Sequence, residues 1–364
     1  MAKPKKYPYV TQNDIARLAN VSQSAVGAAL GRTTGNKIRI SPETREKVLR
    51  AADQLNYMPN RAASITRSGR TREVSIIISG TMLQTSFLRL KHLAHALAAK
   101  GFSVTPQELQ WTGHSLEQAW DEALAARAEG IVLASSFGIM QPSLHRKLLN
   151  SPVPVISLCG PAVQGIPLVA PDLGAAFHEI TQQLLQTGRR RLFYAMRFRQ
   201  PDAIEQIGWK RTERRDGFLR AVNDFDAQSS CEVVEVFNDQ PSSSENEHRL
   251  GMIAVNEVLR RTSGQPPDAI LCANDNFAHG ALTAAHQAGI NIPQQMEITG
   301  CDGEAWTGFG ATPITTIEQP TEALSQKAAD LLLKMLDGQT VTESHFHLPC
   351  EIRWRASCRR EIAP

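Results

Sequence analysis

From Val74 onward the chain alternates short, β-branched, mostly apolar runs with stretches of helix length, and few architectures tolerate that rhythm. The runs are VSIII (74–78), GIVLA (130–134), PVISL (154–158), RLFYA (191–195), VVEVF (233–237), AILCA (269–273) and EITGC (297–301). Strands apolar on both faces must be covered on both, and parallel strands joined through helices supply that cover. At 364 residues the chain exceeds one comfortable core, so the spacing predicts an α/β body of two doubly wound parallel-sheet lobes over 74–364. In such sheets ligands bind beyond the carboxyl ends of the strands, and two facing lobes enclose a small molecule between those ends.

The first seventy residues read differently. Residues 1–72 hold fourteen Lys/Arg against four Asp/Glu, a net of +10, and since the whole chain carries +3 the remainder carries −7. This segregation fits either a contact with a polyanion or a solvated basic tail. Thr11, with Asp14 three places on, forms a variant capping box before the apolar positions Ile15, Ala16, Leu18 and Ala19. Ser22 caps a second short helix with the stripe Ala25, Val26, Ala29 and Leu30, which Gly31 stops. Ser41, Pro42 and Glu43 announce a third, with the stripe Val48, Ala51, Ala52 and Leu55, ended by Tyr57, Met58 and Pro59. The pattern predicts an all-α helix-turn-helix headpiece over 1–58, then a basic hinge over 59–73.

VTQNDIARLANVSQSAVGAAL followed by ISPETREKVLRAADQLNYMPNRAAS closely resembles the DNA-binding headpiece of the LacI/GalR family of bacterial repressors. The resemblance implies that the helix starting near Ser22 enters the major groove of a pseudo-palindromic, double-stranded operator. Gln23 and Ser24 occupy the specificity positions, and Thr11, Ser22 and Ala28 join them at the DNA. Gly27 and Ala28 replace the family's usual Ser and Arg, which removes one arginine contact. Arg32, Lys37 and Arg39 of the long loop 31–40 either recover phosphate contacts or are solvated. In the hinge, PNRAASITRSGRTREVS, the resemblance places Asn60, Arg61 and Ala63 at the DNA. It aligns the family's minor-groove leucine with Thr66, next to Ile65. Either Ile65 acts as the wedge in a shifted register, or affinity rests more on phosphate contacts by Arg61, Arg67, Arg70 and Arg72.

The body resembles the family more loosely and is expected to be periplasmic-binding-protein-like. PDLGAAFHEITQQLLQTGRRRLFYA is similar to the family's crossover into the second lobe and RRDGFLRAV to its effector-arginine motif. LCANDNFAHGAL is similar to a strand-to-helix turn, and ITGCDGEAW with TTIEQP to the return. Crossovers are therefore expected near 160–172 and 300–320. The resemblance implies effector contacts by Arg214, Asn274 and Asp302, with Asp172 at the family's aspartate position beside the departures Leu173 and Ala176. Trp306 could stack on a sugar or base, or pack in its loop. Surface charge, turn residue and cap are the structural alternatives for Arg214, Asn274 and Asp302 respectively.

Other function classes find no purchase. GxSxG, GxxxxGK[ST], HExxH and dinucleotide fingerprints are absent, so no enzyme and no cofactor are expected. The pairs His92/His95 and His345/His347 lack a third metal ligand. The six scattered cysteines read as reduced packing residues. No signal peptide or membrane span is apparent, which sets the chain apart from a transport binding protein and predicts the cytoplasm. A homodimer is expected, because no leucine heptads follow RWRASCRREIAP. The effector implied by the resemblance is a carbohydrate, with a nucleobase as the next choice, and its binding changes operator affinity allosterically.

Overall fold

A computed structural model describes residues 9–30, 39–58, 65, 69–78, 84–109, 115–134, 142–160, 162–198, 212–225, 230–237 and 243–359. The chain divides into two compact units, Met1–Thr71 and Arg72–Pro364.

In the first unit α1 (Gln12–Ala19), α2 (Gln23–Ala29) and α3 (Pro42–Gln54) are each started by the predicted cap. The Asp14 amide donates to Thr11 Oγ1 at 3.4 Å, while Thr11's own amide donates to Asp14 Oδ2 at 2.9 Å. Ser22 and Ser41 accept from the amides of Ala25 and Thr44 at 3.2 and 3.1 Å. Such caps satisfy donors the helix leaves unpaired, each contributing about 1 kcal/mol. Asn20, in the left-handed conformation with φ 52°, ends α1, and Ser22 opens α2 two residues later. Ile15, Val26, Ala29, Val48 and Ala51 form the buried core, and Arg45 Nη1 donates to the Ala29 carbonyl at 3.1 Å. The third helix stops earlier than Tyr57: Leu55 is its C-cap and Asn56 turns left-handed at φ 48°.

The second unit holds two six-stranded sheets. The first has the order β11-β5-β4-β3-β1-β2, built from β1 (Glu73–Ile78), β2 (Ser103–Glu108), β3 (Gly130–Ala134), β4 (Val155–Leu158), β5 (Leu168–Pro171) and β11 (His345–Leu348). The second has the order β12-β10-β9-β8-β6-β7, from β6 (Arg191–Phe198), β7 (Ser230–Phe237), β8 (Ala269–Cys272), β9 (Glu297–Asp302), β10 (Thr315–Glu318) and β12 (Glu351–Arg353). Every pairing is parallel except that of β12 with β10.

Strand alternation explains the two-sided cover. Val74, Ile76 and Ile78 of β1 face α4 (Gln84–Ala98) and α11 (Thr321–Leu336), whereas Ile77 faces α5 (Leu116–Ala125) and α6 (Pro142–Leu149). In the second sheet Leu192 and Tyr194 face α7 (Leu173–Gln186) and α8 (Glu213–Asp224). Phe193 and Ala195 face α9 (Ser244–Arg261) and α10 (Asp275–Gln287). A large apolar side chain so buried contributes roughly 1.5–3 kcal/mol relative to exposure. Helices α9 and α10 touch backbone to backbone, where a β-carbon on Gly280 would lie 1.8 Å from the His248 carbonyl oxygen.

The chain passes between sheets after β5 and after β10, and a third time between β11 and β12. The helix α11, late in sequence, thus covers the first sheet. All six cysteines are free, and Cys272, Cys301 and Cys358 are buried. Among the described residues no helix is long and apolar enough to cross a membrane.

Candidate functional site

The first unit presents the start of α2. Gln23 and Ser24 are exposed, and Ser24 Oγ lies 2.9 Å from the capping Ser22 Oγ. The Thr11 hydroxyl is engaged in its cap, donating to Asp14 Oδ2 at 2.9 Å. Ala28, which the sequence reading placed at the DNA, is buried, with 6% of the residue exposed. Ile65 is half-buried and its carbonyl accepts from the Gly69 amide at 2.8 Å. Arg32, Lys37, Asn60, Arg61, Ala63, Thr66 and Arg67 lie outside the described residues. Arg72 is drawn to the second unit, where its amide donates to Glu129 Oε1 at 2.8 Å and its guanidinium sits 5.9 Å from the Phe102 ring centre.

In the second unit the candidate effector residues stand where strands or the helices after them begin and end. Asp302 is the last residue of β9, buried, with φ 130°. That backbone region is nearly reserved for glycine, and holding a non-glycine there costs of order 1–3 kcal/mol, a pattern that clusters at binding sites. Its Oδ1 accepts from Gln319 Nε2 at 2.7 Å and lies 3.9 Å from Arg214 Nη2. Burial raises the Asp302 carboxyl to about 6, against the lowering pull of Arg214. Gln319 follows β10 at the second crossing, and its Oε1 accepts from Arg89 Nη1 of α4 at 3.1 Å. A line of polar contacts therefore runs from Arg214 in the second lobe through Asp302 and Gln319 to Arg89 in the first. Arginine only donates and a carboxylate only accepts, so the Gln319 amide is satisfied in a single orientation.

Behind Asp302 lies a buried acid, Asp275, at the start of α10. Its Oδ2 accepts from the Glu304 amide at 2.8 Å and its Oδ1 from the Thr316 hydroxyl at 2.5 Å. Burial first, and then the Asp302 charge, push its carboxyl up to about 8.

Arg214 and Asp302 are brought together, whereas the other three candidates are engaged elsewhere. Asn274 caps α10, accepting from the Phe277 amide at 2.8 Å, and donates to the buried Glu247 Oε2 at 3.0 Å. Arg197 Nη1 donates to the other oxygen of Glu247 at 3.2 Å. Asp172 caps α7, its Oδ1 accepting from the Ala175 amide at 2.9 Å. Trp306, in the 3₁₀ turn Ala305–Gly308, donates to Glu304 Oε2 and packs 5.4 Å from the His279 ring and against the second-lobe core. Sequence reasoning missed Arg89, Gln319 and Asp275. Gln319 and Asp275 stand inside TTIEQP and LCANDNFAHGAL, so their phrases carried the signal, while Arg89 had none. Among the described residues no cluster of His, Cys, Asp and Glu could hold a metal ion, and the His345 and His347 rings stand 6.4 Å apart.

Comparison with known proteins adds the context. Residues 11–60 match the family model described as bacterial regulatory proteins, lacI family. Residues 181–358 match the periplasmic binding protein-like domain. The sucrose operon repressor of Escherichia coli is 26% identical over 352 residues, covering 94% of this chain and 98% of that protein. Catabolite control protein A of Priestia megaterium is 26% identical over 363 residues, covering 96% and 99% respectively. The lac repressor dimer bound to operator and the anti-inducer ONPF shares the fold, with TM-score 0.76 at 22% identity, covering 96% of this chain and 100% of that one.

Proposed function

Since the chain belongs to the LacI family of bacterial regulatory proteins, we propose that it is a sequence-specific transcriptional repressor whose operator affinity is set by a carbohydrate bound between its lobes. The observation that carries this reading is the Arg214–Asp302–Gln319–Arg89 line, which joins the two lobes at the ends of their strands. A ligand that rearranges these contacts alters the angle between lobes and so shifts the protein between two states. Forked guanidinium and carboxylate groups suit vicinal hydroxyls, and the operon repressors among its relatives support a sugar. The exposed Gln23 and Ser24 read base edges, Gln pairing bidentately with adenine. A homodimer on a pseudo-palindromic operator, acting in the cytoplasm, completes the proposal.

The test is an electrophoretic shift on genomic fragments with full-length protein, with protein lacking 1–72, and with a panel of sugars and nucleobases. Retention of one fragment over random competitor, lost without 1–72 and changed by a sugar, is expected. Absence of any sequence preference under all conditions overturns the reading. Sedimentation of the free protein is expected to give a dimer.

A further inference from the structure

Among the described residues, Arg89 carries a positive charge with no anion hydrogen-bonded to it. Its Nη1 donates to Gln319 Oε1 at 3.1 Å and its Nη2 to Ser86 Oγ at 3.0 Å, both neutral partners. Among the described residues no carboxylate oxygen comes within 4.0 Å of it. The side chain is half-buried and lines a small cavity walled by Ile78, Leu90, Ala134 and Leu158. A guanidinium partly withdrawn from water against an apolar wall is costly unless an anion compensates it. The facing arginine is under-engaged as well. Arg214 Nε is buried with no hydrogen-bond partner among the described residues, and its Nη2 stands 3.9 Å from Asp302. Asp302 is close enough to pair with Arg214 but reaches Arg89 only across Gln319.

We propose that the effector is acidic: a polyhydroxy compound bearing a carboxylate or phosphate, whose anionic group takes the guanidinium of Arg89 while Arg214 and Asp302 hold its hydroxyls. This rests on the carbohydrate-effector reading above and narrows it. Arg89 is then the specificity-determining residue. A neutral sugar satisfies its N–H groups without neutralising its charge, and an anion does both. Because Arg89 belongs to α4 of the first lobe and Arg214 to α8 of the second, one acidic ligand fastens the lobes to each other.

The experiment is calorimetric titration and thermal shift of the full-length protein with matched probes: D-glucose, D-gluconate and D-glucose 6-phosphate, then D-galactose and D-galacturonate. At least one acid is expected to bind, the carboxylate and phosphate arms showing which anion, with the neutral counterpart roughly tenfold or more weaker, the range carried by a hydrogen bond to a charged group. The variant R89M loses that preference, R89K keeps part of it, and added salt weakens the wild-type interaction. Salt dependence needs no variant, so it decides the matter even if R89M misfolds. Equal affinity for neutral and acidic partners, or an unchanged Kd for the acid in folded R89M, overturns the charge assignment and leaves the carbohydrate reading standing. No response to any sugar, neutral or acidic, overturns both.

Discussion

Replacing Gly280 by alanine separates two helices that now touch. A β-carbon there lies 1.8 Å from the His248 carbonyl oxygen and 2.7 Å from its carbonyl carbon, and one at Gly251 lies 1.9 Å from the Phe277 oxygen. Real β-carbons keep 3.0 Å, so α9 and α10 must part by at least 1.2 Å. The obstacle is backbone, which cannot swing aside. Parting loosens the shared core of Val255, Val258, Phe277 and Ala281. Alanine's better helix propensity favours the variant by about 1 kcal/mol, and overpacking a rigid core costs about 1–3 kcal/mol or more. The net expectation for Gly280→Ala, with a backbone collision at the upper end of that cost, is a loss of roughly 1–2 kcal/mol. Urea unfolding followed by tryptophan fluorescence and circular dichroism measures it. Gly264→Ala is the control, because at φ 81° with nothing within 4 Å of its β-carbon it tests backbone strain without collision. The pair Gly251→Ala and Gly280→Ala should cost less together than the sum, since the first substitution already opens the gap. A Gly280→Ala protein as stable as wild type would refute the close-contact reasoning.

Ser22→Ala removes the amide partner of Ala25 at the start of α2. It should cost the headpiece about 1 kcal/mol, read as weaker operator binding with an unchanged unfolding midpoint for the body. Glu297 is fully buried, and its Oε1 accepts from Arg189 Nε at 3.1 Å and Arg359 Nε at 3.0 Å. Glu297→Ala strands the Arg189 charge and should lower stability by about 3–5 kcal/mol, checked by differential scanning calorimetry. Asp302 has a folded pKa of about 6, raised from 3.8. Its contribution to stability is therefore greatest below pH 3.8 and lost as pH rises through about 6. Effector binding runs the other way, because only the carboxylate accepts two hydroxyls. Affinity should fall as pH drops from 7 to 5, and Asp302→Asn should flatten that profile in calorimetric titrations.

Local signals carried most of what the sequence revealed. Thr11 with Asp14, Ser22, and Ser41 with Pro42 marked helix starts because a cap and its partner lie within three residues. Strands β1, β3, β4, β8 and β9 stood out as buried apolar runs. Strand β2 did not: SVTPQE is polar and contains Pro106, as an exposed edge permits. Strands β11 and β12 are too short to show a period. At the candidate effector site Arg214 and Asp302 could be named from wording alone. Arg89 could not, since its partner Gln319 lies 230 residues away and nothing local marks the pairing. Asn274, named from its phrase for the effector, is seen capping α10 and donating to Glu247, a partner 27 residues away that nothing local marks.

The three passages between sheets bear on how the protein is made. Strand β11 pairs His345 with Leu168, and α11 supplies Leu324, Ala328 and Leu332 to the face of the first sheet. On a ribosome, which releases chain from the N-terminus, that face has only α4 over it until α11 emerges, and neither sheet is complete before β11 and β12 follow. A polypeptide terminated before α11 would therefore leave the greasy side of the first sheet open to chaperones and proteases.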